Sequence, residues 1–133
     1  MLIEETGVAE ADLPLEPFKA HLRMGSGFGT ETVQEPVLAS FLRAAIAAIE
    51  ARTSKALISR LFTMTVQEWA DPQAQALPVG PVRQIVSVTV VARDAMETVI
   101  EPQRYWLVRD MQAPLLKPSG AMLPFIPPQG SVQ

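Results

Sequence analysis

The segment that decides the fold class of this chain is PVLASFLRAAIAAIEARTSKAL, residues 36–57, because a helical pattern runs through it and a strand pattern follows it. Its apolar residues recur at three- and four-residue spacing, which is typical of a helix with one side against a core. The apolar side is formed by Leu38, Leu42, Ala45, Ile46 and Ile49, with Phe41 at its edge. The pattern predicts a long amphipathic helix over about residues 30–55.

A second stripe on the same helix consists of small side chains, Ala44, Ala48 and Ala51. Small side chains let another backbone come close. We therefore interpret these alanines as candidate subunit or helix-packing contacts, made either with the preceding short helix or with a neighbouring subunit. Alanine is also the best helix former, so helix propensity on an exposed face is the alternative interpretation.

Upstream of the long helix, the sequence predicts a shorter helix and an arm. Residues 15–24, LEPFKAHLRM, carry apolar residues at helical spacing, and Pro17 suits the first turn of a helix. Residues 25–29, GSGFG, follow as an interhelical turn, where glycine permits the backbone that stops a helix. Residues 1–14 are acidic and are predicted to form a loosely held arm.

Downstream of Ala56 the apolar period changes from helical to alternating, which predicts strands. RLFTMTVQEW is a half-buried strand, and VRQIVSVTVVA, residues 82–92, is the strongest strand of the chain. One face of that strongest strand carries Val86, Val88 and Val90. RDAME predicts a hairpin turn, TVIE the returning strand and RYWLV a further strand. From Met111 on, repeated prolines permit only short, edge-like strands.

These patterns predict an α+β fold, in which an N-terminal helical hairpin precedes a small, mainly antiparallel β region with proline-rich loops. The predicted division is an acidic arm, 1–14, and a single α+β domain, 15–133. Within that domain the helices take about 15–55 and the β region about 56–133. The sequence stops at GSVQ, after a turn signal where another strand would be natural. A C-terminal continuation, or completion by a partner, is therefore expected.

The composition restricts the function. The chain has 133 residues, of which 48% are hydrophobic and 19% charged, which suits one domain with its own core. A net charge of −3 argues against a protein that holds nucleic acid by its phosphates. The absence of cysteine excludes disulfides, thiolate metal sites and cysteine nucleophiles, and it fits a reducing cytoplasm. The acidic N-terminus does not resemble a signal peptide, and no apolar run reaches the roughly 18 residues of a membrane span.

No pattern in the sequence predicts a catalytic or metal site. The single histidine, His21, has no second histidine or cysteine near it, so a surface histidine is favoured over a zinc ligand. GSGFG follows a helix and lacks the Lys-Ser/Thr ending of a phosphate-binding loop. Carboxylate pairs occur as Asp94 with Glu97 and as Glu68 with Asp71. Solvated turn charges are the default interpretation of both pairs, because spacing alone does not place them in one pocket.

One group of basic and aromatic residues has the composition of a protein interface. It consists of Arg104, Tyr105, Trp106 and Arg109. Strand alternation places Tyr105 and Trp106 on opposite faces, so at least one of the two aromatic rings is expected in the core. A core and interface role is favoured over base stacking on a nucleic acid. The candidate partner-interface residues also include Pro124, Phe125 and Ile126.

The order of these patterns resembles the head–tail connector, or adaptor, proteins of tailed bacteriophages and gene transfer agents. The resemblance covers about residues 15–132 and rests on three stretches. They are LEPFKAHLRM, LASFLRAAIAAIEARTSKAL, and LPVGPVRQIVSVTVVARDAM with its continuations YWLV and LPFIPPQGSV. The third stretch matches the family's Pro-Val-x-x-Ile-x-Ser-Val strand. Family members usually run on into a further strand and C-terminal helices.

The resemblance implies a structural protein with no enzymatic activity, no cofactor and no metal. It implies a ring of about a dozen copies beneath the portal, which extends the DNA channel and docks stopper or tail components. The implied partners are the portal protein, stopper or tail components, and other copies of the chain. DNA would pass through the channel without specific binding, and no membrane is involved. Assembly is expected in the bacterial cytoplasm, and the product is a component of the phage or gene transfer agent particle.

Two other interpretations of the sequence stay open. A small soluble protein-binding or regulatory module that acts as a monomer would have a similar composition. A small hydrolase with an unrecognised carboxylate pair is the less favoured alternative. A pocket that encloses two carboxylates would be evidence for it. Assembly of a ring on a portal would argue against both.

Overall fold

The computed structural model describes residues 1–22 and 31–133, and for residues 31–34 it describes the backbone alone. Two α-helices span Leu15–His21 (α1) and Glu31–Thr53 (α2). The strands are β1 Leu2–Glu4, β2 Phe62–Met64, β3 Gln75–Ala76, β4 Thr89–Val91, β5 Glu97–Val99, β6 Tyr105–Val108, β7 Leu115–Pro118 and β8 Ser131–Val132. Single-turn 3-10 helices cover Glu10–Asp12 and Pro102–Arg104. This architecture confirms the predicted α+β class.

The two helices pack against each other as the predicted hairpin. An ion pair joins them, with the Lys19 ammonium 2.6 Å from a Glu35 carboxylate oxygen and 2.9 Å from Glu16 on its own helix. The hydrogen bond to Glu35, and then the one to Glu16, raise the pKa of Lys19 above its usual value. The predicted glycine turn, residues 25–29, lies outside the described residues.

Helix α2 ends where the sequence predicts, and the structure shows how. Thr53 is the last helical residue, and its hydroxyl donates to the Ile49 carbonyl at 2.8 Å. Ser54 then adopts a φ of 54°, a left-handed conformation that stops the helix, while its N–H still donates to the Glu50 carbonyl. At the other end the helix begins at Glu31. Pro36 therefore lies inside the helix, past its first turn.

The β region consists of three small antiparallel sheets. Their strand orders are β1-β2, β3-β7-β6 and β5-β4-β8. The predicted hairpin at RDAME is present, because β4 and β5 pair in the register Val90 with Thr98. Its turn is closed by the Met96 N–H, which donates to the Asp94 carboxylate at 3.2 Å. β7, which ends in Pro118, is a central strand and not the edge strand that the prolines suggest.

Two parts of the β region differ from the sequence prediction. The N-terminal arm is not loosely held, because β1 pairs with β2 and joins the arm to the rest of the fold. The predicted strand at 82–92 has paired partners only over Thr89–Val91. Val88 and Val90 are buried as predicted, but Val86 is exposed. The alternating pattern is therefore longer than the paired strand. The division of the chain at residue 14 stays a prediction.

The core of the described chain lies in the β region. Its buried cluster contains Val88, Val90, Ile100, Tyr105, Leu116, Leu123 and Val132. Trp69 packs against this cluster and donates its indole N–H to the Pro124 carbonyl at 2.7 Å. Gln75 is a buried amide, and both ends of its side chain are satisfied by the backbone of Ala70 and Ala76. The β region thus carries the core, and the helices lie beside it with few buried residues.

The position of Gly130 leads to a first prediction. A β-carbon on Gly130 would lie 2.7 Å from the Val91 carbonyl oxygen and 3.0 Å from that of Pro127. Both neighbours are backbone atoms, so Gly130→Ala is expected to displace β8 and to lower the free energy of unfolding by about 1–3 kcal/mol. Thermal unfolding measures the change. The matched control is Gly120→Ala, where a β-carbon meets nothing within 4 Å. Equal stability of the two variants would contradict the prediction.

Candidate functional site

One side of α2 is apolar and exposed in the described chain. Five residues on it follow the alternating four- and three-residue spacing of a coiled-coil seam. They are Val37, Phe41, Ala44, Ala48 and Ala51, and we call them the α2 seam. Phe41 is 63% exposed, although phenylalanine is among the residues most often buried in folded proteins. The predicted small-residue stripe therefore lies on an open face that also carries two larger apolar side chains.

The predicted core side of α2 is only partly covered. Leu38 is buried, while Leu42 and Ile46 are half-buried and Ala45 and Ile49 are exposed. Ala39, which the sequence analysis did not assign to either side, is buried. Apolar side chains thus surround most of the helix, and none of the three predicted contact alanines is covered by the described part of the chain.

A cluster of charges, two of them largely buried, connects α2 to the β1–β2 sheet. It consists of Glu4 on β1, Glu50 on α2 and Arg60 just before β2, and we call it the Arg60 cluster. The guanidinium donates two parallel hydrogen bonds to Glu50, at 2.7 Å and 2.9 Å, and a third to Glu4 at 3.0 Å. The side chains of Arg60 and Glu50 are only 8% and 13% exposed. The cation also lies 4.8 Å from the centre of the Phe62 ring.

The charges of the Arg60 cluster stabilise one another in their ionised forms, as in a structural ion-pair network. The hydrogen bond from Arg60, supported by the N–H of Leu57, lowers the pKa of Glu50. Glu50 and Glu4 in turn raise the pKa of Arg60. The Arg60 Nε lies 2.9 Å from a Glu4 oxygen but is not aligned for a hydrogen bond. One guanidinium therefore joins β1, α2 and the segment just before β2.

A cleft of about 480 Å³ beside this cluster contains two carboxylates, Glu4 and Glu50. The cleft is also bordered by Arg43, whose guanidinium donates to the Val8 carbonyl at 2.7 Å. A hydrolase that works through a carboxylate pair would need one carboxyl group that is protonated near neutral pH and one that is not. Both carboxylates here bind the same cation, and the pKa of Glu50 is lowered. The arrangement does not supply an acid and base pair.

The other carboxylates singled out from the sequence lie at exposed turns. Asp71 accepts a hydrogen bond from the Gln73 N–H at 2.8 Å, and Asp94 accepts one from Met96. Glu68 and Glu97 are exposed, and so is His21. Within residues 1–22 and 31–133, no group of three or more potential metal ligands is present. These residues are placed as solvated side chains.

The predicted interface aromatics separate into one core residue and one surface residue. Tyr105 is 8% exposed and belongs to the buried cluster, so it does not offer surface to a partner. Trp106 is 50% exposed, and its indole N–H donates to the Pro118 carbonyl at 3.3 Å. Arg104 and Arg109, which flank β6, are exposed. The alternation along β6 produces this division, since successive side chains point to opposite faces.

The second predicted interface segment is also divided. Pro124 is buried, because its carbonyl accepts the Trp69 indole hydrogen bond and holds the loop on the core. Phe125 is among the most exposed large hydrophobic residues of the described chain, and Ile126 is half-buried and packs against the core. Among the candidate partner-interface residues, Trp106 and Phe125 are therefore the two large hydrophobic side chains that stay exposed.

None of the helices in the described part of the chain is both long and apolar enough to cross a membrane.

Comparisons with known proteins identify the family. No family model and no curated protein matches the chain. Among solved structures, it matches a chain in the neck of an empty gene transfer agent particle computed with C6 symmetry, with 43% identity and a TM-score of 0.93. It also matches a chain in the virion of a native gene transfer agent particle, with 43% identity and a TM-score of 0.89. A third match lies in the neck of a native particle computed with C12 symmetry, with 40% identity and a TM-score of 0.85.

These matches cover nearly all of this chain and about two thirds of the other chains. The shares are 99% of this chain in each case, and 67%, 68% and 65% of the three matched chains. Identity at this level over the whole chain, with closely superimposed backbones, confirms the resemblance that the sequence patterns indicate. The chain belongs to the head–tail connector (adaptor) family of tailed bacteriophages and gene transfer agents, and it is a structural component of the particle neck.

Proposed function

We propose that this chain is the connector subunit that forms a ring of about a dozen copies beneath the portal of a phage or gene transfer agent particle. The ring extends the DNA channel and docks stopper or tail components. The observation that carries the proposal is the α2 seam, an apolar helix face that the described chain leaves uncovered. The neck structures computed with C6 and C12 symmetry support it, since they are related chains in symmetric assemblies.

The α2 seam has the dimensions of a subunit contact. From Val37 to Ala51 it runs four helical turns, or roughly 20 Å. Its C-terminal half is alanine, which permits the short end of the usual helix-packing distances, about 8 Å. Its N-terminal half contains Phe41. The ring of Phe41 has a large apolar area, as have the aromatic residues that contribute most to binding at protein interfaces. In a ring each copy uses two different surfaces, so the seam of one copy meets another surface of the next.

The charge of the chain suits a channel that DNA passes through. Its net charge of −3 gives little attraction for phosphates, and we propose that contact with DNA is transient and steric. Stopper or tail components are proposed to dock through the exposed aromatic side chains of Trp106 and Phe125. Arg104 and Arg109, which flank β6, are exposed and could supply polar contacts to such a partner.

The α2 seam leads to a second prediction. Ala48→Leu lies on an exposed face, so it is expected to change the free energy of unfolding of the isolated chain by less than about 0.5 kcal/mol. In the ring the added side chain would overpack a close contact, and incorporation of the chain into particles is expected to fail. Thermal unfolding of the isolated chain and composition of purified particles are the two measurements.

The matched control is Ala39→Leu, on the buried side of the same helix. This variant is expected to lose about 1–3 kcal/mol of stability through overpacking within the subunit. If Ala48→Leu particles assemble normally with a stable chain, the seam is not the ring contact. If Ala48→Leu destabilises the isolated chain as much as Ala39→Leu does, the contact lies inside the subunit.

A further inference from the structure

The β1–β2 sheet has an inner face against the Arg60 cluster and an outer face that is open. Glu4 binds Arg60, and the centre of the Phe62 ring, opposite Glu4 in the register, lies 4.8 Å from the guanidinium carbon. Side chains alternate along a strand, so the next pair, Ile3 with Thr63, points to the other side. We call that side the β1–β2 outer face, and it is formed by Met1, Ile3, Glu5, Leu61, Thr63 and Thr65.

The β1–β2 outer face is apolar for a surface that water reaches. Ile3 is 44% exposed, Leu61 is 45% exposed and Met1 is 77% exposed. Two strands alone are marginally stable in water, and packing against a helix is one way to stabilise them. A helix about 10 Å wide covers two strands that lie about 4.8 Å apart. The outer face is therefore a surface that a single helix can cover.

The α2 seam and the β1–β2 outer face lie on opposite sides of one structural unit. Glu50, through which α2 contacts the Arg60 cluster, lies about 140° around the helix from the centre of the seam. The seam therefore faces away from the cluster on the helix side, and the outer face does so on the sheet side. In a closed ring of a dozen copies, each copy is rotated by only about 30° relative to its neighbour. The two contact surfaces of each copy then point in nearly opposite directions, as these two surfaces do.

The charges of the two surfaces are complementary. On residues 35–53 of α2, the exposed side chains include two cations, Arg43 and Arg52, and no carboxylate. Arg43 is held by a backbone carbonyl of the N-terminal arm. Arg52 follows Ala48 by four residues and borders the C-terminal end of the seam. The outer face carries one carboxylate, the exposed Glu5, and no lysine or arginine. The Met1 ammonium at its edge is hydrogen-bonded within the sheet.

We propose that the β1–β2 outer face of one copy receives the α2 seam of the next copy in the ring. This proposal rests on the ring proposed above and names the second surface that the ring contact needs. The apolar side chains of the seam cover Ile3 and Leu61, and Arg52 pairs with Glu5 at the rim. Such a rim pair selects the orientation of the two surfaces more than it adds affinity. Because the two surfaces differ, the same contact repeats from copy to copy around the ring.

Charge reversal tests this contact in particles, because like charges that oppose each other at an interface weaken it. Arg52→Glu alone and Glu5→Arg alone are each expected to lower the number of copies in purified particles at least fivefold, since the repulsion recurs at every contact. The double variant is expected to assemble as the wild type does. A mixture of the two single variants is also expected to assemble, with both chains in equal amounts, because opposite charges then meet at every contact. Mass spectrometry of purified particles gives the readout.

The outcomes separate this contact from the ring itself. Both residues are exposed, so the melting temperatures of the isolated variants are expected to shift by no more than about 4 °C. Normal incorporation of both single variants would overturn the pairing of the two surfaces and leave the ring proposal intact. A loss that neither the double variant nor the mixture recovers would also overturn the pairing. Absence of the wild-type chain from the neck would contradict the ring proposal, and this contact with it.

Cysteine cross-linking gives a second measurement that changes no charge. The chain contains no cysteine, so only introduced thiols in it react. Ile3→Cys combined with Ala48→Cys is expected to link neighbouring copies into a ladder when particles are treated with a short bismaleimide. The matched control combines Ala48→Cys with Val99→Cys, an exposed position on β5 outside both surfaces. A ladder from the control pair, or none from the first pair, would overturn the proposal.

Discussion

Replacing Glu50 by alanine is expected to lower the free energy of unfolding by about 3–5 kcal/mol, or to lower the melting temperature by roughly 10–20 °C. The variant leaves Arg60 nearly buried, with only the more exposed Glu4 to neutralise it. Removal of one partner from a buried ion pair costs more than the pair contributes, because an uncompensated charge remains. Thermal and denaturant unfolding of the isolated chain measure the loss.

Two further variants test whether the loss comes from the buried charge. Glu68→Ala removes an exposed carboxylate and is expected to change stability by less than about 0.5 kcal/mol. The double variant Glu50→Leu with Arg60→Met removes both charges and is expected to recover much of the lost stability. A double variant as unstable as Glu50→Ala would show that packing, and not charge, explains the loss.

Acid adds an independent check on Glu50. Its pKa is lowered in the folded state, so the unfolded chain binds the proton more readily. The stabilisation is fully present above the usual glutamate pKa of 4.5 and is lost as pH falls through the lower folded value. The stability difference between the wild type and Glu50→Ala should therefore shrink as pH falls below that range. A constant difference down to low pH would contradict the ion-pair account.

The neighbouring aromatic residues of β6 lead to the second large prediction. Tyr105→Ala is expected to cost about 3–5 kcal/mol, because the ring belongs to the buried cluster and its removal leaves a cavity. Trp106→Ala removes a larger ring from an exposed position, so the loss in the isolated chain is expected to be below about 1 kcal/mol. Thermal unfolding of the two variants measures both losses of stability. Equal losses would mean that Trp106 is as much a core residue as Tyr105.

Trp106→Ala also tests the proposed docking surface. Trp106→Ala should yield a stable chain that enters the neck but binds stopper or tail components less well. Particles that carry this variant and complete their tails normally would show that the partner surface lies elsewhere.

Sequence patterns correctly predicted those helices and hairpins whose stability depends on residues close in sequence. The helix over Glu31–Thr53 and the hairpin around Asp94 each depend on neighbours in sequence, so periodicity and turn chemistry were sufficient. The division of Tyr105 and Trp106 also followed from alternation along one strand. The same alternation overestimated the strand at 82–92, because it reports the faces of a strand and not whether a partner lies beside it. Val86 is the residue at which this difference is visible.

The contacts that join distant segments were not predictable from such patterns. The pairing of β1 with β2 and the Arg60 cluster bring together positions that are 46 or more residues apart, as Glu4 and Glu50 are. One signal was present, since Arg60 interrupts the apolar run ALISRLF. An arginine in such a run needs a carboxylate partner if it is buried, but the sequence does not say which of fourteen acids supplies it.

The sparse core has a consequence for the lifetime of the chain in the cell. Ten hydrophobic residues of the described chain are buried, and we expect from this small number that the free chain has a low free energy of unfolding. Neighbours that bind only the folded form add stability by mass action. Copies within an assembly should therefore resist proteolysis, while surplus copies should be degraded first. Selective degradation of unassembled copies would then keep the concentration of free subunits in proportion to the number of particles being assembled.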